Sequence, residues 1–215
     1  MRGSMELPSL VDVGRRADAV RVLSCYYGLN GHEAHRYAGA RFDTWDSAGT
    51  RGSSHNRFTA DDLVAVSFLS VSVPPLAAEA LLDTLADDFA ELLEELGPDR
   101  DLVEERTPWA EDWVGWRLWG MLDALPSVGP TTASKLYARK RPRLRPIYDS
   151  VIAEVIGSNR WWEPLRAHLQ QDPGLHPHLL SLRDDLKVPF DLSALRILDV
   201  LLWMHGKNNT TCTLT

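Results

Sequence analysis

The segment Leu125–Asp149, LPSVGPTTASKLYARKRPRLRPIYD, decides how this chain is interpreted. Gly129 and Pro130 favour a tight turn that opens a helix, because glycine tolerates unusual backbone conformations and proline fits the first helical position. The free amides at a helix N-terminus suit an anion such as a phosphate. The sequence therefore predicts phosphate contacts at this turn, from Ser127, Gly129, Thr131 and Thr132.

A strongly basic stretch follows the turn. Six cationic residues lie between positions 135 and 145, and no acidic residue occurs between positions 124 and 148. Arginine can bind a phosphate through two parallel hydrogen bonds. We therefore predict phosphate contacts from Lys135, Arg139, Arg143 and Arg145. The alternative is a solvated surface loop held by Pro142 and Pro146.

The segment ends at a single carboxylate, Asp149, which has two compatible interpretations. It can stabilise the positive charge that develops on a sugar as its base leaves, and orient or activate a water molecule. It can also cap the helix that begins at Ser150, which is an ordinary role for Asp.

This segment resembles the helix-hairpin-helix DNA glycosylases. Their signature, L-P-G-(V/I)-G-x-x-T-A, is matched by Leu125, Pro126, Val128, Gly129, Thr132 and Ala133. Asp149 falls at the spacing that this family uses for its essential Asp. The match covers about a fifth of the chain, from Trp113 to Val155. Ser127 departs from it, since the family has a Gly there, and the residues after Asp149 lack the family's usual polar and Arg positions.

The resemblance implies a two-lobed, all-α fold with the site between the lobes. Thr131 stands where bifunctional members carry a nucleophilic Lys, which implies the monofunctional branch without a Schiff base. Cys25 and Cys212 are the only cysteines, so the iron–sulfur cluster of some members has too few ligands here. We expect no cofactor and no metal.

Composition indicates a globular protein with an uneven charge. The chain has 215 residues, 44% hydrophobic and 25% charged, and a net charge of −7. An acidic chain is a poor general DNA binder, since DNA affinity depends largely on cationic contacts. Twelve acidic residues lie between positions 83 and 112, where they can also form the solvated face of a helix.

Location and assembly are also predicted from composition. No apolar run approaches the ~20 residues of a membrane span, and no signal peptide opens the chain. The widely separated cysteines favour a reducing compartment. We therefore expect a cytoplasmic monomer whose partner is DNA or a nucleotide.

The hydrophobic pattern predicts helices almost throughout. We expect an N-terminal helix and a long loop in 1–58, and a helical lobe in 59–158 containing the hairpin (113–140). The C-terminal helices, 159–207, complete the outer lobe, and 208–215 forms a disordered tail. The predicted helices span 18–27, 60–73, 76–96, 111–125, 130–140, 150–156, 164–171, 178–185 and 192–205. For 63–73, LVAVSFLSVSV, the β-branched residues also allow a strand.

Three places are candidates for a base pocket. Trp109, Trp113, Trp116 and Trp119 recur at helical spacing, so they form either the wall of a pocket, above all Trp113 and Trp116, or part of the core. The loop 28–57 carries Arg41, Phe42 and Asp43, which can contact a base. The alternative is a surface excursion, or partial disorder around 47–54. Tyr148 directly precedes Asp149.

These observations predict a hydrolytic N-glycosidase acting on a damaged or modified nucleotide in DNA. One alternative is a glycosidase acting on a free nucleotide or nucleoside, as in the queuosine-salvage proteins that resemble this fold. A second alternative is a non-catalytic module that keeps the hairpin and binds DNA or a protein partner.

Overall fold

The computed structural model describes residues 5–32, 37–105, 109–158 and 161–210. Within these ranges the chain forms helices and no strand, which confirms the all-α prediction. Its α-helices are α1 (Arg16–Tyr27), α2 (Arg41–Thr44), α3 (Ala60–Ser67), α4 (Pro75–Glu79), α5 (Ala86–Leu96), α6 (Val114–Asp123), α7 (Pro130–Lys140), α8 (Ser150–Ile156), α9 (Trp162–Gln171), α10 (Leu175–Leu186) and α11 (Ala194–Gly206). Short 3₁₀ segments lie at Ser9–Val11, Val13–Arg15, Ala38–Ala40 and Leu102–Glu104, and a π-helical turn at Ala80–Thr84.

The helices that flank the predicted site begin and end where local signals place them. Gly129 precedes α7 with φ −105°, and Pro130 is its first residue. Asp149 caps α8, and Gly157 ends it in the left-handed conformation, with φ 65°. Local capping chemistry therefore fixes the position of Asp149.

Other helix boundaries differ from the prediction. The expected long helix 76–96 is interrupted by the π-helical turn and by Leu85, whose φ of −121° lies outside the helical range. The helix expected over 60–73 ends at Ser67, and Ser70 has φ 62°. The predicted long loop 28–57 contains two short helical pieces, Ala38–Ala40 and α2.

Helix packing brings the two ends of the chain together. α1, α8 and α10 pack on α11, whereas α3 and α6 pack on α7 and α5 packs on α6. α8 approaches α11 so closely that a Cβ on Gly206 would lie 2.5 Å from a methyl of Val151. The division into two lobes with the predicted boundaries remains a prediction. The predicted disordered tail lies mostly outside the described residues, which end at 210.

None of the described helices combines the length and the apolar character that a bilayer span requires. Cys25 is buried in α1 and disulfide-bonded. The predicted reducing compartment stays a prediction.

Candidate functional site

A cavity of about 340 Å³ opens beside Asp149, between residues of α1, α7, α8 and α11. Ligand pockets in proteins span about 300–1,000 Å³, so this one suits a small molecule. It is lined by Tyr26, Tyr37, Ala38, Gly39, Phe68, Leu69, Ser70, Lys135, Ile147, Asp149, Ser150, Val151, Arg196, Asp199, Val200, Trp203 and Lys207. We call this space the Asp149 cavity.

The cap of α8 holds Asp149 at the cavity. Its Oδ1 accepts a hydrogen bond from the amide of Val151 at 3.0 Å, and its side chain is 19% exposed. Each carboxylate oxygen has two lone pairs, so the capping bond leaves acceptor capacity for a water molecule. The two roles predicted for Asp149 are therefore compatible in this geometry.

Lys135 lies one helical turn beyond Thr131 on α7 and pairs with Asp149. Its Nζ is 3.3 Å from Oδ2 of Asp149 and donates a hydrogen bond to the carbonyl of Leu69 at 2.8 Å. The side chain is only 3% exposed. Lys135 therefore belongs to the interior of the site, and the prediction that it contacts a phosphate backbone at the surface is wrong.

Aromatic rings form one wall of the Asp149 cavity. Tyr26 and Tyr37 stack at 5.5 Å between ring centroids, with an interplanar angle of 7°, and Trp203 meets Tyr37 edge-on at 5.8 Å. Gly39 packs against this wall, since a Cβ there would lie 2.1 Å from the hydroxyl oxygen of Tyr26. Such rings offer a flat apolar surface on which a base can stack.

The polar wall of the cavity is a buried network that we call the Arg196 cluster. It comprises Arg196 and its partners: the carboxyls of Asp43 and Asp199, the hydroxyl of Tyr26 and the carbonyl of Gly39. Nε of Arg196 lies 2.9 Å from Asp43 Oδ1, Nη1 donates to Asp199 Oδ2, and Nη2 donates to Tyr26 at 2.8 Å and to Gly39 at 3.1 Å. One guanidinium thus serves two buried carboxyls.

This arrangement shifts the pKa values of its members. Burial raises the pKa of Asp199 to about 6, against the opposing attraction of Arg196, and the charge of Asp149 raises it further. Burial also raises the pKa of Tyr26 to about 12. Asp149 and Asp199, both lining one cavity, thus differ in environment, as acid and base partners in enzymes do.

The basic stretch has a different role from the one predicted. Arg139 and Lys140 are buried and share one carboxylate, Asp62, with Nε and Nζ at 3.0 and 2.5 Å from its oxygens. Arg139 also donates to the carbonyls of Phe42 and Trp45, and Lys140 to that of Ser54. We call Asp62, Arg139, Lys140 and these three carbonyls the Asp62 cluster.

Arg141 completes the internal role of this stretch. It is 1% exposed and donates to the carbonyls of His55, Leu93 and Gly97. The basic residues therefore hold the loop 28–57 against α7. For Arg139 the predicted phosphate contact is wrong, because its side chain is fully buried and its donors bind protein acceptors.

The last two predicted phosphate contacts also lie elsewhere. Nε and Nη2 of Arg143 bind the carboxylate of Asp101, and its side chain is 42% exposed. Arg145 is buried between the rings of Trp162 and Trp119, with its guanidinium carbon 3.8 and 4.1 Å from their centroids. Burial lowers the pKa of Arg145 to about 9. Arg145 is thus a core residue, and its predicted phosphate contact is wrong.

The tryptophan stripe is part of the core. Trp109 and Trp113 stack at 4.4 Å, and both contact Trp162. Trp116 meets Trp162 edge-on at 5.0 Å. None of these rings lines the Asp149 cavity. The four tryptophans are partly buried and pack against the core, which favours the core alternative over a pocket wall beside Asp149.

The other predicted base contacts are also separate from the cavity. Phe42 and Asp43 are buried, and Asp43 is used by Arg196. Arg41 lies 5.2 Å from the ring of Trp45. Tyr148 borders a different surface depression, together with Glu154 and Ser158. These residues therefore shape the fold around the site and do not line it.

The hairpin turn remains at the surface. Ser127 and Gly129 are exposed, and Thr131 and Thr132 are partly exposed. Ser127 has φ 58°, a conformation that favours glycine, which agrees with the Gly of the resembled signature. Phosphate binding at this turn stays a prediction.

A larger cavity, of about 660 Å³, lies on the other side of Arg196 and Asp199. It is lined by members of both clusters but does not include Asp149. We place the site at the smaller cavity because that one combines a half-buried carboxylate with aromatic walls. In the described ranges, no three His, Cys, Asp or Glu side chains are grouped as a metal site would require.

Four residues of the cavity were not predicted from the sequence: Tyr26, Trp203, Arg196 and Asp199. One signal for the last two was present, because Arg196 and Asp199 lie three residues apart in the otherwise apolar segment 195–204. Charged residues on the buried face of a helix require partners, and such positions are candidates for a site. The aromatic residues carried no comparable signal.

The arrangement can bind a flat ring and act on a bond beside it. The rings offer a stacking surface, Asp149 offers a carboxylate next to a buried ammonium, and Asp199 offers a second carboxyl of raised pKa. Lys207 lies at the exposed edge of the cavity, where it can contact an anionic group.

Comparison with known proteins shows to which family the chain belongs. No curated protein and no solved structure matches the chain significantly. The model of one family, described as a family of unknown function (DUF6308), matches residues 19–206, which include all of the cavity lining except Lys207. Because this match covers most of the chain, the protein belongs to this family of unknown function, DUF6308.

Proposed function

We propose that the protein is a hydrolytic N-glycosidase that takes a nucleoside or nucleotide as a small molecule, with Asp149 as its catalytic carboxylate. The observation that carries the proposal is the placement of the Asp149–Lys135 pair in a cavity of about 340 Å³ with aromatic walls. A base can stack on these rings while its sugar lies beside the carboxylate.

Asp149 has the features that such a hydrolysis requires. Its cap bond to Val151 fixes the side chain, and Lys135 fixes the second oxygen from inside the protein. A fixed negative charge stabilises the positive charge that develops at the anomeric carbon, because it needs no reorganisation during the reaction. The same carboxylate can accept a proton from the attacking water.

The buried cations favour a small substrate over duplex DNA. Polymer binding depends on several accessible cations that neutralise phosphates. Lys135, Arg139 and Arg145 are buried, and Arg143 is paired with Asp101. The acidic chain has no other predicted phosphate clamp, apart from the hairpin turn.

The exposed turn at Ser127 and Gly129 supports a second candidate function, that of a glycosidase acting on a base in DNA. Helix N-termini bind phosphate through backbone amides, and this turn is accessible before α7. A non-catalytic hairpin module is the third possibility that the experiment must separate.

The test compares the wild type with Asp149→Asn on two substrate sets. One set contains ribo- and deoxyribonucleosides and their 5′-monophosphates, including modified bases, and the other contains oligonucleotides with damaged bases. Free base is measured by mass spectrometry. Asn can keep the cap bond to Val151 but cannot accept the proton, so we expect a loss of about 10²–10⁴-fold in rate.

Asp172→Asn is the matched control, because Oδ1 of Asp172 accepts the amide of Gly174 in the same two-residue geometry, away from the Asp149 cavity. It should retain full activity. Release of base from the small molecules alone supports the proposal, and release from oligonucleotides alone overturns it in favour of the DNA candidate. If neither set releases free base, the non-catalytic binding module remains as the explanation, and its affinity for DNA should then fall steeply with salt.

A further inference from the structure

The Arg196 cluster holds more carboxyl groups than its single guanidinium can neutralise. Asp43, Asp199 and Arg196 are all buried, with side chains at most 7% exposed. Burying a carboxylate without a full counter-charge is costly, and the group protonates instead. The cluster therefore tends to hold one proton on one of its two carboxyls.

The contacts decide which carboxyl holds the proton. Asp43 is bound by Nε of Arg196 through both oxygens and also accepts a hydrogen bond from the hydroxyl of Tyr27 at 3.1 Å. Asp199 has Arg196 alone as a donor among the described residues, through Oδ2. Asp43 is thus the better stabilised anion, and Asp199 takes the proton, on Oδ1. The raised pKa of Asp199, about 6, agrees with this assignment.

Asp199 lines the same cavity as Asp149, but from a different helix. Asp149 begins α8 and Asp199 lies in the middle of α11, and the two helices pack directly on each other. A ligand in the cavity therefore has a capped carboxylate on one side and a protonated carboxyl on another.

We propose that Asp199 is the general acid of this site and protonates the leaving base while Asp149 activates the water. This inference rests on the proposed glycosidase function and adds a second catalytic residue to it. Two carboxyls with separated roles are a common solution for breaking glycosidic bonds.

A lone pair of the water oxygen forms a bond to the anomeric carbon, and the water proton passes to a carboxylate oxygen of Asp149. The bond between the anomeric carbon and the base nitrogen breaks, and its electron pair stays on the base. The proton on Oδ1 of Asp199 passes to the base, so that the products are the neutral base and the free sugar. A proton then returns from Asp149 to Asp199 through solvent.

The pH dependence follows from the groups that face Asp199. These are Tyr26 from α1, Asp43 from α2, Lys135 from α7, Asp149 from the start of α8 and Arg196 from its own helix. Because burial raises the pKa of Asp199 to about 6, its carboxyl is protonated below about pH 6. Hydrolysis that needs the proton should therefore slow as pH rises above this value.

The experiment varies how much the leaving group needs a proton. The four ordinary ribonucleosides have bases that leave poorly as anions, whereas 4-nitrophenyl ribofuranoside releases a stable phenolate. We expect Asp199→Asn to lower kcat/KM for the nucleosides by about 10²–10⁴-fold and for the nitrophenyl substrate by less than about 10-fold. Asp99→Asn is the control, since Asp99 also has a pKa raised by burial to about 6 but lies outside the Asp149 cavity.

A wild-type pH profile provides a second test if Asp199→Asn fails to fold. The kcat/KM for nucleosides should fall above about pH 6, while that for the nitrophenyl substrate should not. Equal losses on both substrates, or parallel profiles, overturn the role of Asp199 and leave the glycosidase function standing. A wild type that releases neither base nor nitrophenol overturns the glycosidase function, and this inference with it.

Discussion

The two buried charge clusters of this protein differ in the sign of their excess charge. The Asp62 cluster has two cations, Arg139 and Lys140, for one carboxylate, whereas the Arg196 cluster has one cation for two carboxyls. Both join α2 or the loop that follows it to a long helix, α7 in the first case and α11 in the second.

The excess is resolved by different chemistry in each cluster. Excess cations donate to backbone carbonyls, here those of Phe42, Trp45 and Ser54, and these bonds need no change in protonation. In the Arg196 cluster, Asp199 has no donor other than Arg196 among the described residues, so a proton compensates the surplus carboxyl instead. A buried cluster with surplus carboxyl can therefore exchange protons with a ligand, whereas one with surplus cation serves the fold.

The largest expected effect is that of Arg196→Met on stability. It leaves Asp43 and Asp199 buried without the guanidinium that binds them both, so we expect the free energy of unfolding at pH 7 to fall by about 3–5 kcal/mol. The loss should shrink towards pH 5, because Asp199, whose pKa is raised by burial to about 6, is then protonated. Chemical denaturation at the two pH values measures this.

Arg139→Met is the matched variant in the Asp62 cluster. It also removes a buried guanidinium, but Asp62 keeps Lys140 as its partner, at 2.5 Å. The cost comes from the carbonyls of Phe42 and Trp45 left without donors, and it should not shrink at lower pH. If the losses of both variants respond equally to pH, the distinction between the clusters fails.

The sequence predicts this fold where the helix boundaries depend on local signals. The limits of α7 and α8 follow from Gly129, Pro130, Asp149 and Gly157, because capping is decided by residues within one turn. The interruption at Leu85 was not predictable from the same rules, since the segment 76–96 keeps helical spacing throughout.

The site was predictable in part, for a related reason. The local sequence determines the cap that Asp149 forms and its spacing from the hairpin, and these place it at the cavity. The role of Arg139 depends on Asp62 and on the carbonyl of Phe42, which are 77 and 97 residues away. A run of cations therefore looks the same whether its partners are external phosphates or distant parts of its own chain.

An intermediate effect is expected for Gly39→Ala, which tests whether the Arg196 cluster tolerates displacement. The new Cβ would lie 2.1 Å from the hydroxyl oxygen of Tyr26, and the carbonyl of Gly39 accepts from Arg196. We expect a loss of about 1–3 kcal/mol in the free energy of unfolding. Gly120→Ala in α6, which meets no atom within 4 Å, should instead gain up to about 1 kcal/mol. A neutral Gly39→Ala would show that Tyr26 can move without cost.

The smallest effect is expected for Asp199→Asn, as a change in how stability depends on pH. The pKa of Asp199 is raised in the folded chain to about 6 from an ordinary value of 3.8, so the folded chain keeps a proton that the unfolded chain has lost between these values. Its contribution to the free energy of unfolding therefore falls as pH rises through this window, and the variant lacks that fall.

The difference in unfolding free energy, Asp199→Asn minus wild type, should thus rise by about 1–2 kcal/mol from pH 4 to pH 7. Asp99→Asn should show a rise of the same sign, because burial also raises the pKa of Asp99 to about 6. Denaturation series of the three proteins over this range measure both differences. A flat difference for Asp199→Asn beside a rising one for Asp99→Asn would show that Asp199 does not hold the proton of the Arg196 cluster, and Asp199 could then not act as the acid of the Asp149 cavity.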